Sequence, residues 1–447
     1  LFANKKVLII GAARSGLAAA KLLRHLDAEV VVNEYKDKNS FNEYQELIDL
    51  GVSVVCGEHP KELFEEDFDF VVKNPGIKYT LWFIERLQER NIPIYSEIEL
   101  AFQVAKKQHY IAITGTNGKT TTTSLVYEII KSKYPKITHT AGNIGRPLCE
   151  VVLEENLLDN ENHYIILELS NFQLLNIQTF KPAISTIINL SPDHLDYMRS
   201  LEEYYYSKTN IYMNQDEHDL FLLNIDNVEI INYTNKRKPK AQIIRFSLED
   251  ENADFYLQND CVYHNNQCLL DTKQINIVGM HNIQNCIIAL IIALKLGVNL
   301  EMIQEVMYHF VGVEHRIEFV RELDGVRYYN DSKATNVDAT MIALKAFDSS
   351  IILLVGGFEK RLDVSSLLPY MDKVKLVIGY GDCGQRLVDD LKVRSKVVTT
   401  LKEAVTYAKN NAVVNDIVLL SPTTSSYDQF DNYEQRGSCF KELVNSL

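Results

Sequence analysis

The segment Thr114-Gly-Thr-Asn-Gly-Lys-Thr-Thr121 has the residue types and spacing best suited to chemistry in this chain. Gly115, Thr116, Asn117 and Gly118 offer successive backbone N–H groups, and a helix N-terminus follows them, which together make a cradle for phosphate. Lys119 can neutralise β/γ-phosphate charge, and the Thr120 hydroxyl suits Mg²⁺, with Thr121 beside it. The strict form of such a loop carries a glycine five residues before its Gly-Lys pair, where this chain has Ile113. Glu168 ends a later apolar run and suits Mg²⁺, directly or through water, or is a solvated strand-end acid. His194, in Asn189-Leu-Ser-Pro-Asp-His194, is a metal ligand, a substrate contact or a surface histidine.

Lys208 lies among aromatic residues in Tyr204-Tyr-Tyr-Ser-Lys-Thr-Asn210. Such surroundings desolvate an amine and make it reactive, although a snorkelling side chain gives the same pattern. Asn282 and Asn285 precede a long apolar helix. Asn282 reads as an N-cap, and asparagine amides also suit the edge of an adenine. Arg316 and Asp331 suit a γ-phosphate and a ribose, and Lys333 a carboxylate or phosphate. Asp331 or Ser332 is equally an ordinary cap. Ser421-Pro-Thr-Thr-Ser-Ser426 adds hydroxyls at another strand end.

These residues need elements to hold them. Lys6–Gly11, then Ala12–Leu26 and Glu29–Glu34, read as strand, glycine turn, helix and strand ending in an acid, the βαβ unit of dinucleotide-binding folds. Its glycines are Gly11 and Gly16 without a middle one, which counts against a nicotinamide dehydrogenase and leaves a nucleotide diphosphate held differently. Val52–Val55 and Phe70–Val72 continue the pattern up to the turn Asn74-Pro-Gly76. Tyr110–Thr114, Tyr164–Leu169 and Ala183–Asn189 read as strands, and Thr121–Lys131, Tyr204–Tyr212 and Asn282–Leu296 as helices. The stretch Gln242–Ile277 reads as a small side sheet. Ile351–Gly357, Leu376–Gly381 and Ile417–Pro422 are three further buried strands. The expectation is an α/β chain of three domains: N-terminal Rossmann-like (1–98), central P-loop ATPase-like with a doubly wound sheet (99–312), and C-terminal Rossmann-like (313–447).

The 447 residues carry a formal charge of −14 and are 46% hydrophobic, which fits several folded domains. An acidic chain without a basic block is a poor nucleic-acid binder. No apolar run approaches the ~18 residues of a membrane span, the densest being Cys286–Leu294, and no cleavable signal pattern opens the chain. Seven cysteines without a C-x-x-C pair read as thiols in a reducing cytosol.

Taken together, Thr114–Thr121, Gly142-Asn-Ile-Gly145, Glu168, Asp193-His194, Lys208, His281–Asn285, His315-Arg316, Asn330–Thr335 and Ser421–Gly437 resemble the Mur ligase family of ATP-dependent amide ligases. Asn330-Asp-Ser-Lys-Ala-Thr-Asn336 and Phe430-Asp-Asn-Tyr-Glu-Gln-Arg-Gly437 look most like the family's D-glutamate-adding branch. The resemblance implies addition of D-glutamate to UDP-N-acetylmuramoyl-L-alanine through an acyl phosphate, in bacterial cell-wall synthesis. It implies UDP-substrate contacts at Arg14, Ser15, Glu34, Asn74, Gly76 and Asn143. ATP contacts would be Gly115–Thr121, Asn282, Asn285, Arg316 and Asp331, and a D-glutamate pocket Lys333, Thr335, Lys360, Ser426 and Tyr433. Lys119, Asn143, His194, Lys208 and Arg316 would be catalytic. Two Mg²⁺ would be held by Thr120, Glu168, His194 and a CO₂-derived carbamate on Lys208. A cytoplasmic monomer acting on small molecules, with neither nucleic acid nor membrane insertion, completes the expectation. The rivals are a related ligase with another amino acid or acceptor, a folate-glutamate ligase, and a non-catalytic ATP-binding regulator.

Overall fold

The computed structural model describes residues 2–192, 198 and 200–447, so His194 and its neighbours 193–197 lie outside the described residues. Among the described residues the chain forms three sheets and divides into two compact units. One unit is Leu1–Asp271 with Gln284–Val306. The other is Thr272–Ile283 with Met307–Leu447.

The first sheet contains β1 (Lys6–Ile10), β2 (Glu29–Glu34), β3 (Ser53–Cys56), β4 (Phe70–Lys73) and β5 (Ile94–Tyr95). All its pairings are parallel, in the order β3-β2-β1-β4-β5. The order reverses between β1 and β4, so the crevice of this sheet opens where Gly11 and Asn74 leave those strands. The helix after β1 runs Arg14–His25, later than its expected start. Ala13 is still extended, at ψ 176°.

The second sheet contains β6 (His109–Thr114), β7 (Thr138–Gly142), β8 (Tyr164–Glu168), β9 (Ile184–Ile187), β10 (Leu220–Asn224), β11 (Gln242–Ser247), β12 (Phe255–Gln258), β13 (Cys261–His264) and β14 (Gln267–Asp271). Its order is β14-β13-β12-β11-β10-β9-β6-β8-β7. Pairings are parallel from β7 to β12 and antiparallel from there to β14. Two expectations are corrected here. Gln242–Ile277 is no separate side sheet, because β11 pairs in parallel with β10 along Leu220–Asn224 and extends the central sheet. Nor are all seven cysteines thiols: Cys261 and Cys268 form a disulfide in the β13–β14 hairpin, with Cα atoms 5.8 Å apart. The turn through Asn265 and Asn266, both with positive φ, closes that hairpin, whose register pairs Cys261 with Asp271 and Tyr263 with Cys268 across an irregularity between Val262 and Tyr263.

A continuous apolar cluster joins the layers of these two sheets, running from Val7 and Ile9 through Leu148, Val151 and Ile165 to Phe221. Each such fully buried aliphatic side chain contributes about 1.5–3 kcal/mol relative to exposure, so the two sheets stand on shared packing.

The second unit contains β15 (Glu318–Leu323), β16 (Val326–Asn330), β17 (Ile351–Gly356), β18 (Val374–Tyr380), β19 (Ser395–Val397) and β20 (Ile417–Leu420), ordered β15-β16-β20-β17-β18-β19. Only the β15–β16 hairpin is antiparallel. Helices Val337–Lys345 and Gly384–Leu391 cover one face, and Leu401–Asn411 and Tyr433–Asn445 the other. No helix among the described residues is long and apolar enough to cross a membrane.

Candidate active site

The phosphate-type loop leaves the C-terminal end of β6, which lies between β9 and β8 in its sheet. Gly118 precedes the helix Lys119–Lys133 at φ +84°, a left-handed conformation that favours glycine. A Cβ there would lie 2.8 Å from Asn285 Oδ1. That oxygen accepts the Thr122 hydroxyl at 3.0 Å, so Asn285 lies against the loop. Asn189, at the end of β9, clamps the loop from the other side. Its Oδ1 accepts Asn117 N–H (2.9 Å), its Nδ2 donates to Asn117 O (3.1 Å), and its carbonyl accepts Thr116 N–H (3.0 Å). Two ammonium groups converge on one carbonyl: Lys119 Nζ is 2.9 Å and Lys208 Nζ 3.0 Å from Gly115 O. Lys119 also donates to Thr116 O at 2.7 Å. Lys208 is only 1% exposed and lies 4.8 Å from the Tyr204 ring centroid, so this lysine is a buried group and not a snorkelling one. The helix that carries it is Leu201–Lys208, and Thr209–Tyr212 continues as a 3₁₀ turn.

Glu168 closes β8, the strand beside β6, in register with Ile113 just before the loop. It is 2% exposed. Asn143 donates its side-chain amide to Glu168 Oε1 at 2.8 Å, while Oε2 is buried with no hydrogen-bond partner among the described residues. An anionic oxygen left so costs a few kcal/mol unless a cation or water meets it. The donor set of a buried carboxylate oxygen and the Thr120 hydroxyl at the loop helix fits a hard divalent cation. Arg14 reaches the same region, donating to Gly145 O at 2.6 Å.

At the crevice of the first sheet, Glu34 turns back onto the glycine turn, where its Oε2 accepts Ala12 N–H at 2.8 Å. Gly11 has φ +92°, and a Cβ there would lie 2.9 Å from Asn74 Cβ. Asn74 N–H donates to Ile10 O at 3.0 Å, and Asn74 Oδ1 accepts Gly76 N–H at 3.1 Å. Ser15 is in the first turn of the helix Arg14–His25. The structure therefore gathers Arg14, Ser15, Glu34, Asn74 and Gly76 at one strand-end crevice.

In the second unit, Asp331 follows β16 and is fully buried. Ser421 Oγ donates to its Oδ2 at 2.8 Å and Ile317 N–H to its Oδ1 at 3.2 Å. Burial pushes its carboxyl up to about 6, against the pull of the Arg316 guanidinium. His281 is pushed down to about 3 by burial and then by the Arg316 charge, so its imidazole is neutral. Asn282 is not the N-cap. The helix Met280–Lys295 starts before it, and its Nδ2 donates to Val278 O at 2.8 Å.

Lys333 Nζ lies 5.6 Å from the Tyr433 ring centroid, and Lys360 Nζ is 3.5 Å from Thr335 O. Ser426 is buried on the loop after β20. A residue that single-residue reading missed ties these segments together. Arg436, fully buried, donates to Ser332 Oγ (2.9 Å), Ser332 O (2.8 Å) and Thr424 O (3.1 Å). Asn189 was likewise missed as a loop clamp. Its position just after the apolar strand Ile184–Ile187, which pairs with the loop strand, was the available signal.

Comparison with known proteins gives a consistent picture. Residues 113–293 match a family model described as Mur ligase middle domain, and residues 315–424 one described as Mur ligase, glutamate ligase domain. A UDP-N-acetylmuramoylalanine--D-glutamate ligase of Geobacillus kaustophilus (strain HTA426) is 39% identical, covering 100% of this chain and 98% of the relative. Its namesake in Listeria monocytogenes serovar 1/2a is 38% identical with the same coverage. Among solved structures, a UDP-N-acetylmuramate-alanine ligase from Thermotoga maritima aligns over 99% of this chain and 100% of its own, with TM-score 0.60 at 18% identity.

Proposed function

The chain belongs to the Mur ligase family, and from that premise we propose that it is an ATP-dependent ligase joining D-glutamate to UDP-N-acetylmuramoyl-L-alanine in peptidoglycan precursor synthesis. The observation that carries this reading is identity of 39% along the whole chain to a relative named for that reaction. The loop with two lysines on Gly115 O supplies the chemistry it needs.

A carboxylate at neutral pH is a poor electrophile, so the acceptor must be activated. Its L-alanyl carboxylate oxygen attacks the γ-phosphorus of ATP in line, and the bond to the ADP oxygen breaks. The D-glutamate nitrogen then attacks the acyl carbon of the resulting acyl phosphate. It loses a proton, and inorganic phosphate leaves. Gly115–Thr121 cradle the triphosphate. Lys119 exchanges its two loop carbonyls for the γ-phosphate oxygens and stabilises charge as it builds. Asn282, Asn285, Arg316 and Asp331 bind the nucleotide. Arg14, Ser15, Glu34, Asn74 and Gly76 receive the UDP part, with Asn143 towards the acyl end. Lys333, Thr335, Lys360, Ser426 and Tyr433 take D-glutamate, and their mutual contacts through Ser332 and Arg436 support that grouping.

Mg²⁺, when bound, neutralises phosphate charge. Thr120 and Glu168 would hold it, with Lys208 as a carbamate and His194. The carbamate is supported by the burial of Lys208 beside the loop, where an oxygen ligand serves a metal better than an ammonium. The division of labour follows the segments 1–98, 99–312 and 313–447. The reading extends to a monomer of the cytoplasm, where ATP is available, and to small-molecule substrates without nucleic acid.

The test is release of ADP and phosphate with Mg²⁺-ATP, UDP-N-acetylmuramoyl-L-alanine and one amino acid at a time. Release that requires D-glutamate and yields a new amide is the expected result. Release with another amino acid alone would overturn the substrate assignment.

A further inference from the structure

Lys73 ends β4 and is 2% exposed, a rare position for a lysine. Its Nζ donates to Ile77 O at 2.7 Å and to Asn74 O at 3.2 Å. These carbonyls are the two ends of the turn Asn74-Pro-Gly-Ile77. The turn is already closed by Ile77 N–H to Asn74 O (3.1 Å) and by Gly76 N–H to Asn74 Oδ1 (3.1 Å). The ammonium adds a second bridge between the two ends of the turn, through charge-assisted hydrogen bonds to both carbonyls. Lys73 Nζ also lies 4.6 Å from the Tyr79 ring centroid. Tyr79 OH donates to Asn176 Oδ1, and Asn176 in turn donates to Ile94 O at 3.3 Å and accepts Ser96 N–H at 3.0 Å. The segment leaving the turn is thus fastened at its far end as well.

We infer that Lys73 is a positioning residue for the UDP-linked acceptor: its ammonium fixes the Asn74–Ile77 turn at the strand-end crevice so that the turn meets the diphosphate in one shape. The inference rests on the reading that this crevice takes the UDP part. Asn74 sits against Gly11 across that crevice, so a slack turn would close or open the diphosphate position directly. Lys73 itself reaches the turn through the Asn74 and Ile77 carbonyls. Burial supports the same role, because it draws the amine down to about 7, where a bound anion tips it back to the charged form. Around the amine, β1 presents Ile10 in register, and the segment after the turn presents the Tyr79 phenol.

The experiment is steady-state kinetics on the full chain with Lys73→Met and Lys73→Gln, varying each substrate separately, together with direct titration by UDP. Methionine keeps the length of the side chain and removes its donors. It is expected to raise KM for the acceptor and Kd for UDP about tenfold each, the weight of one lost charge-assisted hydrogen bond. kcat and the KM values for ATP and D-glutamate should stay within about twofold. Glutamine, which keeps N–H donors, should recover part of the loss. The wild-type acceptor KM should climb as pH rises through 7, and that of Lys73→Met should lack this step. If Lys73→Met fails to fold, Lys73→Gln and the wild-type pH profile decide. A folded Lys73→Met with unchanged UDP affinity, or a loss spread equally over kcat and ATP, overturns the inference while the reading of the crevice stands. A wild-type chain that binds no UDP overturns both.

Discussion

Asn143 donates its side-chain amide to Glu168 Oε1 and its backbone N–H to the Glu168 carbonyl, both at 2.8 Å. One residue thus fixes the height and the rotation of a buried carboxylate. The consequence is directional: Oε1 is committed and Oε2 is presented. Asn143 sits in the turn Gly142–Gly145, whose Gly145 carbonyl is held by Arg14. The acid at the end of β8 is therefore braced from the first sheet.

Glu168→Gln keeps the acceptor for Asn143 and removes the charge. Product formation should fall about 100-fold, in line with loss of one preorganised electrostatic group. Mg²⁺ titrations should show a higher half-saturation for the variant. An unchanged Mg²⁺ requirement would remove Glu168 from the metal site.

Lys208 offers a spectroscopic prediction. In buffer stripped of CO₂ the ligase activity should drop, and bicarbonate should restore it. With ¹³C-labelled bicarbonate, a carbamate carbon resonance should appear and be missing in Lys208→Arg. A wild-type spectrum without that resonance, under conditions of full activity, would exclude the carbamate.

Gly118→Ala combines a left-handed φ with a Cβ 2.8 Å from Asn285 Oδ1. The strain is about 1–2 kcal/mol, so ATP should bind about tenfold more weakly. UDP binding should be unaffected. Titration calorimetry with each nucleotide checks both halves.

Glu97 gives a stability profile. Its carboxyl is buried, and burial pushes it from 4.5 to about 7, while Cys149 N–H donates to its Oε1. Between those values the native state holds a proton that the unfolded chain has released. Stability therefore falls as pH rises from about 4.5 to about 7 and is level above that, a loss of about 3 kcal/mol from this group. Glu97→Gln should flatten that limb in urea melts taken across the range. A limb of the same slope in the variant would assign it to other groups.

The parallel sheets were legible because their strands are short apolar runs ending in glycine or a small polar residue, as in Ile351–Gly356 and Ile417–Leu420. The phosphate loop was legible because its spacing is set by local backbone geometry. What escaped was set by partners distant in sequence. The β15–β16 hairpin has alternating polar residues such as Arg321 and Arg327, and one face stays accessible, so no apolar run marks it. The attachment of β11 to β10 depends on register, which composition does not carry. Arg436 and Lys73 look like surface charges in the sequence. Only the carbonyls that surround them in the fold, at Ser332 and Thr424 or at Asn74 and Ile77, reveal them as buried ties.

The strand order of the second sheet sets a schedule for synthesis. β6 carries the phosphate loop, yet both its neighbours, β8 and β9, come later in the chain. Ribosomes add about 5–20 residues per second, so Thr114 emerges seconds before Ile187, its partner, exists. Until β8 is made the apolar Ile111–Ile113 has no strand to pair with, and from then until β9 emerges one edge of β6 stays open. Chaperone capture of the nascent chain should therefore concentrate on lengths that end between β6 and β9, and release should coincide with the emergence of β9.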